Sequence, residues 1–226
     1  MTTFNINIVS DPICPFCYLG KKRLDRAISL YKKTVSGASA DTFAITWKPY
    51  YLDPTLPQGK STPVMERMTA KFGTDRLEAL TNRLSTMGQS EGICFSFQGK
   101  MGNTRDAHRL IQLARLKDSS KGSATSEYQE KLMDALMKGY FEDGGDITSH
   151  EMLTSAAEKA GIDKSEAQTW LTEGKGGDTV DQEVEEAYAR GIRGVPHFII
   201  NDKYEIGGAQ DVEAFLMEFV RAKDTA

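Results

Sequence analysis

The sequence predicts an α/β fold: one small sheet assembled from both ends of the chain, with a large all-helical domain inserted between its two halves. Three observations carry this. The opening fifty residues alternate apolar and polar positions twice, at Phe4, Ile6 and Ile8 and again at Phe43, Ile45 and Trp47, with a helical period between. From about Val64 to Ala189 the strand period vanishes and apolar residues return at three and four. After Gly194 and Pro196 the run His197 to Ile200 restores strand character.

Each element follows in turn. The first strand, within Met1 to Val9, is broken by Ser10 to Ile13 with Pro12. Leu24, Ala27, Ile28 and Tyr31 stripe the first helix, Lys21, Lys22, Arg23 and Asp25 take its outer face, and Gly37 lies beyond its end. The second strand stops near Pro49, and Pro54, Pro57, Gly59 and Pro63 mark a connection. In the insert, Ala107, Leu110, Ile111 and Ala114 form one helical face behind a cap at Asn103 or Thr104. Tyr128, Leu132, Ala135 and Leu136 form another, with Ser126 and Gln129 spaced as a capping box. Leu153, Ala156, Ala157 and Ala160 run up to Gly161, a natural stop, and Asp163 with Glu166 opens the helix of Trp170 and Leu171. Val180, Val184, Ala187 and Tyr188 make a further helix before Gly191. Asn201 and Asp202 allow a turn that returns Tyr204 to Ile206 as a partner strand. Val212, Phe215, Leu216, Phe219 and Val220 then stripe a closing helix. Neither flank holds enough strands for its own packed sheet, so residues 1–53 and 178–226 are expected to share one, and 54–177 to form the insert. The crevice between sheet and insert is the expected binding site.

Composition narrows the function. Of 226 residues, 39% are hydrophobic and 27% charged, enough for a packed core and too apolar for a disordered chain. Twenty-eight Lys and Arg against thirty-two Asp and Glu give a net charge of -4 with no basic run, which argues against nucleic acid as a partner. Charges interrupt every stretch approaching the roughly 18 to 20 apolar residues that span a bilayer, so no membrane partner is expected. The first residues lack the basic start and apolar run of a secretory signal, and the expected location is cytoplasmic.

Three cysteines in such a chain do not make a disulfide scaffold, yet Cys14 and Cys17 stand as a CxxC pair where a strand gives way to a helix. With Cys14 as N-cap, Pro15 occupies the first helical position, where its missing N–H costs nothing. The free N–H groups and the helix dipole then face the Cys14 sulfur and favour its thiolate, with Cys17 one turn inward as the resolving thiol. Pro15 and Phe16 add no charge of their own. A zinc site needs a matching second pair, and Cys94, His108, His150 and His197 supply none, so no metal is expected. Pro196 opens a late strand although it cannot donate to a ladder; the ordinary reading is a trans proline at a strand start, the other a cis bond.

Three blocks in order, Asp11-Pro12-Ile13-Cys14-Pro15-Phe16-Cys17-Tyr18-Leu19-Gly20, then Asn103-Thr104 with Ala107-His108-Arg109-Leu110, then Gly194-Val195-Pro196 followed by Ile206-Gly207-Gly208-Ala209-Gln210, carry a resemblance. Nearly end to end, the chain resembles the DsbA-like branch of the thioredoxin superfamily and most of all its FrnE-like members. Those are similar in turn to kappa-class glutathione transferases and 2-hydroxychromene-2-carboxylate isomerases. The resemblance implies a thioredoxin fold holding the helical insert, and a cis Pro196 lying against the CxxC pair. A proline there turns the Val195 backbone outward to receive an extended substrate. The chain departs from the commonest pattern at Phe16, often Trp, and at His197, often aromatic or aliphatic.

The function this implies is thiol–disulfide oxidoreductase on protein or small-molecule thiols and disulfides, with Cys14 as nucleophile, Cys17 and Pro196 as its catalytic companions, and Pro15, Phe16 and Val195 as substrate contacts. No cofactor is expected beyond the redox-active disulfide, with glutathione as a candidate substrate or reductant. The alternative is a glutathione-dependent transferase or isomerase of the kappa-like type, with the helix start near Gly208 and Gln210 holding the γ-glutamyl carboxylate. A third reading is a binding or holdase module with a vestigial pair. Among other residues, Asp11 reads as a loop cap or a base for Cys17, His108 as surface or packing, and Cys94 as a small buried hydrophobe. His197 reads as facing away from the site. Met65, Met68, Met87, Met101, Met133 and Met137 read as core filling or as a deformable apolar surface.

Overall fold

The computed structural model describes residues 1–120 and 126–224. Strand β1 (Thr3–Ser10) lies inside a four-stranded sheet of order β2-β1-β5-β6. Strand β2 (Thr42–Pro49) runs parallel to it, with Ile6 opposite Ile45. On the other side β5 (His197–Ile200) is antiparallel, with Ile8 opposite Phe198, and β6 (Tyr204–Gly207) pairs back onto β5. The two ends of the chain therefore meet within the sheet, at the β1–β5 seam. Asn201 and Asp202 form the hairpin turn with φ of 52° and 54°, the left-handed conformation that asparagine and aspartate tolerate.

Phe4, Ile6 and Ile8 point to one face of β1, which α1 (Pro15–Thr34) and α9 (Val212–Asp224) cover together. Phe4, Tyr31, Phe43 and Phe219 cluster there, with ring centroids 4.8 to 5.7 Å apart. The opposite face is covered at one end by α8 (Gly177–Ala189), through Val9, Tyr50, Ala187, Ile192 and Ile199.

Between β2 and α8 come α2 (Val64–Phe72), α3 (Thr74–Ser90), α4 (Arg105–Ser120), α5 (Glu127–Phe141), α6 (His150–Lys159) and α7 (Lys164–Thr172). This region is not wholly helical. Strands β3 (Ser61–Pro63) and β4 (Lys100–Gly102) pair as an antiparallel ribbon, three residues each and too short to establish a period in sequence. Asn103 Oδ1 accepts from the Arg105 N–H ahead of α4, Asp163 caps α7, and Gly161 takes φ 84° at the end of α6.

Two sequence expectations give way at the joint between sheet and insert. The side chains of Ser126 and Gln129 do not form a capping box. Asp118 of α4 accepts the N–H groups of Tyr128 and Gln129 at 2.9 and 3.1 Å, releasing both side chains to the outer edge of β2. Gln129 accepts from the Trp47 N–H at 3.3 Å and donates to the Trp47 carbonyl at 3.4 Å, while the Ser126 hydroxyl donates to the Ile45 carbonyl. An amide side chain thus satisfies the backbone of an edge strand. Lys21, expected on the outer face of α1, is 3% exposed beneath α5, where it pairs with Asp25, Glu130 and Asp134.

Candidate active site

The last residues of β1 and the first of α1 build the site. Cys14 is the N-cap of α1, with φ −88° and ψ 113°, and Pro15 follows in the first turn. The Cys14 N–H donates to the Asp11 carbonyl at 2.9 Å, while the Cys14 carbonyl accepts from the Cys17 N–H at 3.0 Å. No N–H of the first turn bonds to the Cys14 sulfur; the thiol donates instead to the Val195 carbonyl at 3.5 Å. The expected approach of the first-turn N–H groups to this sulfur is thus not made. Both cysteines are free thiols, 2% and 1% exposed. Burial pushes the Cys17 thiol well up, and the hydrogen bond and charge of Cys14 push it further. The Ser10 hydroxyl and the Asp11 backbone N–H act the other way.

The Val195–Pro196 peptide bond is cis and lies against α1. Gly20 makes the approach possible: a Cβ there would stand 3.0 Å from both Pro196 Cγ and Phe198 Cζ. The Pro196 carbonyl accepts from the Gly208 N–H at 2.8 Å, and Arg23 donates to the Ala209 carbonyl at 2.7 Å, so the late glycine pair is tied to both strand and helix. His197 turns to the neighbouring strand, its Nε2 3.0 Å from Glu205 Oε2.

A buried polar group backs the pair. The Asp11 carboxylate accepts from the Leu52 and Ile13 N–H groups at 2.8 and 3.3 Å and from the Thr104 hydroxyl, yet burial outweighs these bonds and raises it to about 7. His108 Nε2 lies 3.9 Å from Asp11 Oδ1 and 3.1 Å from the Tyr50 carbonyl, and burial lowers it to about 4, so it is a neutral packing histidine. The Asn103-Thr104 and His108 block thus stands directly behind the Asp11 loop, a placement that sequence spacing could not reveal. Cys94, read as buried, is exposed, its N–H donating to Glu142.

In front of the pair opens a cavity of about 330 Å³. Ile13, Cys14, Pro15, Phe16 and Val195 form one wall; Met68 and Lys71 of α2, Leu80 and Leu84 of α3, Phe97, Met101 and Tyr140 form the others. Cys14 lines this space and Cys17 does not. Periodicity marked these apolar positions as helical without indicating that their faces enclose a void beside the cysteine. Among the described residues, no three of His, Cys, Asp and Glu converge as a metal site.

A family model for the DSBA-like thioredoxin domain matches residues 5–220. The chain belongs to this family. The Bacillus subtilis (strain 168) protein YwbO is 24% identical over 208 residues, 92% of each chain. A probable DsbA oxidoreductase from Streptomyces coelicolor superposes with a TM-score of 0.83 at 28% identity, over 99% of this chain and 91% of that one. 2-Hydroxychromene-2-carboxylate isomerase shares the fold with a TM-score of 0.61 at 17% identity, over 97% and 95%. So does the Pseudomonas aeruginosa cytosolic disulfide reductase DsbM, in a structure with glutathione, at 0.56 and 14%, over 96% and 99%. The DsbA-like fold is a thioredoxin fold interrupted by helices, in accord with the sheet and insert described above.

Proposed function

We propose that this DsbA-like chain is a thiol–disulfide oxidoreductase in which Cys14 exchanges with substrate and Cys17 resolves the mixed disulfide. The observation that carries the reading is the asymmetry of the two sulfurs: Cys14 lines the cavity, whereas Cys17 lies behind it with its thiol held protonated by burial. In the reducing direction, the Cys14 thiolate attacks a substrate disulfide and expels one substrate thiolate. Cys17 then loses its proton, attacks Cys14 and expels the second, leaving a Cys14–Cys17 disulfide; two electrons pass to the substrate. Oxidation is the reverse.

Pro15, Phe16 and Val195 contact the substrate in this reading; all three line the cavity, and Phe16 is 36% exposed. Pro196, joined to Val195 by the cis bond, sets the position of the Val195 carbonyl that Cys14 meets at 3.5 Å. In this reading Asp11, raised to about 7, takes up the Cys17 proton through water. The pair works without a cofactor, in the cytoplasm, with glutathione as a reductant. The fold shared with the glutathione-bound DsbM structure supports that choice.

The test is direct. Cys14→Ser abolishes both insulin reduction and dithiol oxidation, whereas Cys17→Ala retains the first exchange and accumulates the mixed disulfide, visible by mass spectrometry. Full activity of Cys14→Ser would falsify the assignment.

A glutathione-dependent transferase or isomerase is favoured by the fold shared with the chromene isomerase. The start of α9 argues against its carboxylate seat near Gln210. Asp211 Oδ1 already accepts from the Ala214 N–H at 3.2 Å, and Gln210 Nε2 donates to the Gly207 carbonyl at 2.9 Å. Conjugation of glutathione to an electrophile that survives Cys17→Ala would favour this rival.

A further inference from the structure

The cavity that receives Cys14 is apolar over most of its wall, yet it holds two buried donors with nothing to donate to. Tyr140 is 4% exposed and lines the cavity, and its hydroxyl has no hydrogen-bond partner. Burial pushes the ionisation of this phenol upward, and the charges of Asp11 and Asp146 push it further, so it keeps its proton and remains a donor. Arg67 lines the cavity from α2. One terminal nitrogen is held by Asp53 Oδ2 at 2.6 Å, but its Nε is buried and unpartnered. A buried donor without a partner is destabilising, and a bound acceptor relieves that penalty.

One turn beyond Arg67, the exposed Lys71 also borders the cavity. Among the described residues its ammonium has no carboxylate partner; its recorded contact is the Phe72 ring, at 5.7 Å from the centroid. The volume of about 330 Å³ falls at the small end of the range for small-molecule pockets. An occupant that suits these walls has an apolar body, an anionic group for the cations of α2, and an acceptor for Tyr140.

We propose that the cavity binds low-molecular-weight disulfides in which one half is an aromatic group bearing a carboxylate. The ring lies among Met68, Leu80, Leu84 and Phe97, and the carboxylate meets Lys71 and Arg67. The inference rests on the oxidoreductase reading and names its substrate class. In the step it implies, the Cys14 thiolate bonds to one sulfur of the aryl disulfide and an aryl thiolate leaves. Attack by Cys17, which gives up its proton, then releases the other half of the disulfide as its thiolate. The protein loses two electrons and the aryl disulfide gains them.

The experiment compares three oxidants of the reduced protein by stopped flow: dithiobis(nitrobenzoate), aromatic and anionic; dithiodipyridine, aromatic and neutral; and bis(hydroxyethyl) disulfide, small and polar. Each rate is divided by that of N-acetylcysteine with the same oxidant, removing intrinsic reactivity. Taking ratios between oxidants within one variant cancels any change in Cys14 itself. Lys71→Glu, at an exposed position that keeps the fold, should lower the anionic-to-neutral ratio by about fivefold to tenfold. Leu80→Trp, which fills the cavity from a half-buried position, should lower both aromatic rates relative to bis(hydroxyethyl) disulfide by about tenfold. Ratios unchanged in both variants, with the Cys14–Cys17 disulfide still forming, overturn the cavity assignment alone. If none of the three oxidants produces that disulfide, the oxidoreductase reading itself fails.

Discussion

Asp11 and His108 face each other across 3.9 Å in the interior, and burial drives their protonation in opposite senses. Asp11 is raised from 3.8 to about 7. The folded protein therefore binds its proton more tightly than the unfolded chain does. The stability this contributes is present below pH 3.8 and is lost as pH rises through about 7. His108 is lowered from 6.5 to about 4, so its contribution is present above pH 6.5 and is lost as pH falls through about 4. Across the shared window the two slopes offset one another. Asp11→Asn should gain stability relative to the parent as pH rises from 4 to 7, by up to about 1.4 kcal/mol per pH unit, read from urea midpoints. A difference that stays flat over that range would mean that Asp11 is ionised in the folded protein throughout. Gly20 is the second residue with a sharp consequence, because a Cβ there meets Pro196 and Phe198 at 3.0 Å. Gly20→Ala should cost about 1–3 kcal/mol and slow disulfide exchange by more than the lost folded fraction explains. Unaltered turnover would detach the Pro196 position from activity.

At the scale of elements, the insert is held by helix ends as much as by apolar stripes. Arg109 of α4, 4% exposed, donates to the carbonyls of Trp170, Leu171 and Lys175 at 2.6, 3.0 and 2.7 Å, closing the C-terminal end of α7, and to Asp106 at 2.6 Å. Trp170 returns a bond from its indole to the Arg109 carbonyl at 3.0 Å. A lysine keeps the charge but cannot spread donors over three carbonyls. Arg109→Lys should therefore cost about 1.5–3 kcal/mol, measured as a fall in thermal midpoint. The α4 stripe of Ala107, Leu110, Ile111 and Ala114 was legible in sequence, as were β1, β2, the late hairpin and the Cys14 N-cap, because each rests on local periodicity or on a turn residue. What escaped was decided by distant neighbours. Lys21 is buried because α5 lies over it, Asp118 replaces Ser126 as the cap because α4 passes beneath α5, and β3 and β4 exist only as a pair. The cavity escaped for the same reason, since α2 and α3 must stand away from the Cys14 loop to enclose it.

At the scale of the whole molecule, the question is whether sheet and insert unfold as one body. The main core is continuous: Phe4, Ile6 and Ile8 of the sheet belong to the same buried cluster as Leu110, Leu132, Met137, Leu153 and Leu171 of the insert. Trp47, 2% exposed, stands at the junction, its backbone held by Gln129 and its indole by Glu130 of α5. Losing α5 would leave the N–H and carbonyl of Trp47 without partners in a buried setting, a penalty that couples the insert to the strand edge. The sheet in turn is completed by β5, which pairs with β1 although the whole insert separates the two in sequence. These links predict a single transition. With Trp170→Phe, the remaining tryptophan reports on the junction alone, while far-UV ellipticity is dominated by the helices of the insert. Urea curves from the two signals should superimpose, with equal midpoints and slopes. An ellipticity loss that precedes the Trp47 change would mark the insert as an independent folding unit, and would locate the cavity beside Cys14 between two bodies free to separate.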